Sequence, residues 1–206
     1  MDSDKKHIGS PGKSTETVKD IGNLVKRWYA HAWQAKQRED MNVAWCMMNA
    51  PQEILLAMDI IPMYPEQYAA ACASKHVADV FCEKAESEGF SVDICGFCKA
   101  GLGYALRYME MNDVPSGAPY GGIPKPDIFI GRSSCEPGYK WFQALHHWGV
   151  PTFVYDDLAP PLEKDLRDEK MAEQYIKYYL EQSKELVDFL ERATGRKSTS
   201  SLDCSR

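Results

Sequence analysis

Seven cysteines stand in this 206-residue chain, and two of them are spaced as Cys95-Gly96-Phe97-Cys98. Thiols at that spacing form a redox disulfide, supply half of a zinc site, ligate an iron–sulfur cluster, or simply pack as small apolar groups. A helix expected to begin near Lys99 puts the pair at a helix N-terminus, where unpaired N–H groups and the positive dipole end favour the thiolate. A third thiol, Cys135, lies in GRSSCEPGYKW beside Ser133, Ser134 and Gly138, a turn too small and polar for ordinary core. Zinc asks for a second close Cys or His pair, and the chain has no second CxxC and no pair of histidines at ligand spacing. The adjacent His146 and His147 point to different sides of their helix and read as surface or packing residues. An iron–sulfur cluster takes thiolates from separate loops, so it suits Cys95 and Cys135 better, with Cys98 and Cys46 as further candidates. Cys72 and Cys82 sit among apolar neighbours on one expected helix and read as core, and Cys204 lies in the polar segment KSTSSLDCSR.

These thiols have to be positioned by something, and the periodicity says by what. Apolar residues at Val18, Ile21, Leu24, Val25, Trp28, Tyr29 and Ala32 predict an amphipathic helix over 17–40. NVAWC (42–46) reads as a strand, Pro51 opens a helix through Met58, IIPMYP is strand or loop, and 66–86 is expected as one Ala-rich helix ending near Gly89. FSVDIC (90–95) is β-rich, GLGYALRYMEM (101–111) helical, DIFIG (127–131) a buried strand, KWFQALHHW (140–148) helical, and PTFVYD (151–156) a strand. A long amphipathic helix is expected over 163–194, closed by Gly195. Strands alternating with helices predict an α/β domain with a mainly parallel sheet. Ligands of such sheets sit beyond the carboxyl ends of the strands, so Cys46, Cys95, Cys135, Asp156 and Asp157, each at or after a strand end, are expected on one face.

Composition narrows the partners. Lys and Arg number 24 against 30 Asp and Glu, a net charge of −6, and no dense basic stripe is present, which argues against nucleic acid and anionic membranes. No apolar run nears the roughly 18 residues of a membrane span, and MDSDKKHIGSPGKST lacks a secretory core, so a cytoplasmic protein is expected. A disulfide framework does not suit that compartment. Polar segments 1–14 and 198–206 are expected as disordered tails around a domain at 15–197. The length fits one such domain, or one domain of a larger protein.

In order, NAPQEILLAMDIIPMYPE, DICGFCKAGLGYAL, PDIFIGRSSCEPGYKWFQAL, VPTFVYDDLAPP and LVDFLERATGRK resemble the 2-hydroxyacyl-CoA dehydratase family, which includes the ATP-dependent benzoyl-CoA reductase subunits. The resemblance covers about residues 20–197. It implies a flavodoxin-like three-layer α/β domain with a leading helix and a long closing helix. It also implies a [4Fe–4S] cluster held by three cysteines, and one-electron radical chemistry on an acyl-CoA thioester. Implied partners are a homologous second subunit and an ATP-hydrolysing iron–sulfur activator. CGFCKAGLG matches the family's first ligand motif, so Cys95 is the implied first ligand, and Cys98 stands where the family usually has an apolar residue. Cys135 is the implied second ligand; the third belongs to a part of the family's chain without counterpart here, which implies the N-terminal half of a longer protein. Glu53 matches an acidic position near the substrate, while its other reading is a solvated first-turn Glu favoured by the helix dipole.

Overall fold

A computed structural model describes residues 15–133, 135–156 and 168–197. The expectations for the two tails, for Asp157 and Cys204, and for the first turn of the last helix lie outside the described residues. The elements are α1 (Glu16–Arg38), β1 (Asn42–Cys46), α2 (Gln52–Ala57), β2 (Ile60–Met63), α3 (Pro65–Ser74), α4 (Ala78–Ser87), α5 (Gly96–Met111), β3 (Ile128–Arg132), α6 (Glu136–His147), β4 (Thr152–Tyr155) and α7 (Glu169–Thr194), with a 3-10 turn at Pro119–Gly121.

The four strands form a parallel sheet in the order β2-β1-β3-β4. That is the start of the flavodoxin-like 2-1-3-4-5 order, whose switch point lies between β1 and β3. Strands covered on both faces carry apolar residues without alternation; β2 does so throughout and β1 does so from Val43 to Cys46. On one face Val43, Trp45, Met47 and Phe129 pack with α1, α3, α4, α5 and α6. On the other, Ala44, Cys46, Ile60 and Ile130 pack with Leu55 of α2 and Leu186 and Leu190 of α7. At the amino edge Asp127 accepts from the Val43 N–H at 2.8 Å and pairs with Lys36, joining β3, β1 and α1. The Trp28 indole of α1 donates to the Pro62 carbonyl of β2 at 3.1 Å.

Two expected elements are different. The helix expected over 66–86 is two helices, so Cys72 and Cys82 lie on α3 and α4 rather than on one helix. His76 takes φ 56, its N–H reaches Ala73 O, and the Val77 N–H reaches Cys72 O at 3.0 Å. This is a Schellman end with His where Gly is usual, and the apolar Val77 that follows keeps the helical pattern running through the break. FSVDIC is not a strand either. Gly89 (φ 93) and the Phe90 N–H to Ala85 O bond close α4, and Ser91 then makes a turn, its Oγ accepting from the Asp93 N–H and its carbonyl from the Ile94 N–H. Local side-chain bonding overrides the β preference of Val92 and Ile94. α5 and α6 also start earlier than expected, at Gly96 and Glu136.

Candidate active site

α5 leads down to β3, so its first turn lies at the carboxyl edge of the sheet; α6 leaves β3 at the same edge. Cys95 is the N-cap of α5 and Cys135 the N-cap of α6. Cys95 therefore reaches the expected edge through a helix start, not through a strand end. N-caps are ordinarily Ser, Thr, Asp or Asn, whose oxygens bond the first-turn N–H groups. Here both caps are cysteines and neither makes a side-chain capping bond, whereas Asp168 at the start of α7 accepts from the Lys170 and Met171 N–H groups. Both thiols are exposed.

Glycines let the two helices come together. A Cβ on Gly101 would collide with the Trp141 ring of α6, and one on Gly103 with the Phe81 carbonyl of α4. The GLG of the sequence is thus a packing requirement of α5 against both neighbours. Cys98 lies at that seam, 3% exposed, and its Sγ–H donates to the Pro137 carbonyl on the first turn of α6 at 3.4 Å. Burial pushes its thiol pKa up to about 12, and negative charge at Cys95, Cys135 and Glu66 adds to the rise. Cys95, Cys98 and Cys135 thus stand on the starts of α5 and α6, two as exposed thiols and one as a buried, protonated donor.

Cys46 is elsewhere. It is fully buried on the opposite face of the sheet, against α2 and α7, and desolvation raises its thiol pKa far above the ordinary range. Glu53 sits exposed in the first turn of α2. Its charge, after desolvation and Cys46, helps raise the Tyr64 phenol to about 12. Trp45 and Tyr68 are core, and His146 and His147 are exposed on α6. Asp156 lies at the expected edge, where its carboxylate accepts from Ser133 Oγ and the Tyr178 hydroxyl, each at 2.7 Å.

A cleft of about 620 Å³ opens beside Cys95, lined by the loop 89–94 and by Glu136, Pro137 and Lys140 of α6. Sequence reasoning missed this loop as a wall because it expected a strand there. Among the described residues no three Cys, His, Asp or Glu side chains gather to hold a metal ion. In kind, paired thiols at uncapped helix N-termini fit an anionic metal–sulfur group; in number they supply two of its ligands.

A doubly wound α/β domain presenting two thiols at the carboxyl edge of its sheet is the class that fold and site define. The family model described as 2-hydroxyglutaryl-CoA dehydratase, D-component, matches residues 47–201, and the chain belongs to that family. It is 30% identical to the (R)-phenyllactyl-CoA dehydratase alpha subunit of Clostridium sporogenes over 81% of this chain and 38% of that one. Against the (R)-2-hydroxyisocaproyl-CoA dehydratase alpha subunit of Clostridioides difficile the identity is 27%, over 86% and 40%. A benzoyl-CoA reductase subunit from Thauera aromatica is 26% identical over 70% of this chain and 32% of its own. The chain spans about two fifths of the length of the curated relatives it matches first. No helix among the described residues is long and apolar enough to cross a membrane.

Proposed function

We propose that this chain is the cluster-ligating part of a 2-hydroxyacyl-CoA dehydratase or benzoyl-CoA reductase subunit, with Cys95 and Cys135 as two ligands of a [4Fe–4S] cluster. The observation that carries the reading is the pair of exposed, uncapped N-terminal thiols on two helices packed through Gly101 and Trp141. The names of the family and of the first relatives favour dehydration of a 2-hydroxyacyl-CoA over ring reduction. When bound, a cluster with one open iron supplies electron transfer and a Lewis-acid position to the thioester. This chain's own work is to stabilise two thiolates with helix N-termini and to form the wall of the cleft beside them. Glu53, at the start of α2, is proposed to bind the thioester region or move a proton there. The third ligand comes from outside the described residues. A homologous second subunit and an ATP-hydrolysing iron–sulfur activator are the proposed partners, in the cytoplasm.

Anaerobic reconstitution with iron and sulfide, together with the homologous subunit, tests this. Absorbance near ~400 nm and about four irons per chain are expected, and Cys95→Ala or Cys135→Ala should each remove them. Unchanged iron in both variants overturns the assignment. A second reading, an α/β interaction module without a complete cluster, is favoured by the absence of a third ligand among the described residues; it predicts no iron binding under any of these conditions. A CxxC redox protein would instead trap as a Cys95–Cys98 disulfide, and the buried, hydrogen-bonded Cys98 thiol speaks against it.

A further inference from the structure

Lys99 stands in the first turns of α5, where a cation meets the unfavourable end of the helix dipole. Its side chain is only 12% exposed, and its Nζ pairs with Glu86 Oε1 of α4 at 2.5 Å and donates to the Val92 carbonyl at 2.7 Å. Its own backbone N–H bonds the Cys95 carbonyl at 3.0 Å. One residue therefore holds the chain at two points leading into α5: its side chain at Val92, three residues before Cys95, and its backbone at Cys95 itself. Val92 itself is 65% exposed, so between Phe90 and Ile94, which pack against the core, the lysine is what ties the tip of the loop down. Cys82 adds a weaker tie from α4, its thiol lying 3.7 Å from the Gly96 carbonyl.

We infer that Lys99 is a positioning residue for Cys95, fixing the loop 89–95 that both delivers this thiol and walls the adjacent cleft. What Cys95 binds rests on the cluster reading; that Lys99 holds it does not. The experiment therefore contains no iron, so that either idea can fail without the other. The full chain, as Lys99→Met and Lys99→Arg, is compared with the unaltered protein by hydrogen exchange read by mass spectrometry and by alkylation rates at individual cysteines. In Lys99→Met the amides of Phe90, Asp93 and Ile94 are expected to exchange about tenfold faster or more. The Cys95 alkylation rate should change several-fold while that of Cys135 stays within about twofold, and Lys99→Arg should restore both readouts. Unchanged exchange in 89–95 overturns the inference. So does an equal change at Cys95 and Cys135, which would mark general loosening. If Lys99→Met does not fold, Glu86→Ala is read in the same way, and unchanged exchange in 89–95 overturns the inference there too.

Discussion

A thiol's reactivity depends on its access, and four cysteines of this protein divide on it. Cys95 and Cys135 are exposed at helix starts; Cys98 and Cys46 are buried, with raised pKa values. Brief iodoacetamide treatment of the native protein at neutral pH is expected to label Cys95 and Cys135, and to label Cys98 and Cys46 only after denaturation. Peptide mass spectrometry reads the pattern, and native labelling of Cys98 would contradict its burial. The Cys98 shift also has a sign. Below about pH 9 both the folded and the unfolded thiol keep the proton, and the stabilisation is complete. Between about 9 and 12 the unfolded chain loses the proton while the folded chain keeps it, so stability falls as pH rises. One such group contributes about 1.4 kcal/mol per pH unit. Urea midpoints measured upward from pH 9 should therefore fall less steeply in Cys98→Ala, by one proton's worth. The sequence made Cys95 and Cys135 legible through motif and turn composition. It could not show that Cys46 faces the other layer, because β1 is buried on both sides and its alternation carries no label for which side is which.

Helices and turns explain most of the remaining differences. The break between α3 and α4 was hidden because its left-handed residue is His76, which carries none of the signal of a glycine. His76→Gly supplies a sensitive check. In the middle of a continuous helix it would cost about 1 kcal/mol, whereas at a left-handed cap it should be neutral or stabilise by up to about 1 kcal/mol. The sign, read from urea unfolding, distinguishes one helix from two. The segment 90–95 was misread for a related reason: its β-preferring residues are overruled by a serine turn and by a lysine from the following helix. Long periodic elements such as α1 and α7, and strands such as NVAWC with buried apolar runs, were readable because packing and local preference agree in them.

Taken whole, the molecule divides its tasks between the two ends of one sheet. The thiols and their cleft lie at the carboxyl edge; Asp127, with Val43 and Lys36, fastens three elements at the amino edge. Asp127→Ala should cost about 1–3 kcal/mol, since it leaves the Val43 N–H without its acceptor. Urea unfolding measures that loss, and the native labelling rates of Cys95 and Cys135 should stay as they were, the thiols being held by a different set of bonds. The lateral edges of the sheet are a separate matter. Exposed strand edges invite pairing with other chains. On β2 the middle of the edge is Pro62, which has no N–H to offer, and its carbonyl is already engaged by the Trp28 indole. That residue thus offers neighbours no donor, and its one acceptor is already engaged. A foreign strand meeting this edge finds neither donor nor acceptor there, so the tryptophan that docks α1 also guards the protein against edge-to-edge aggregation.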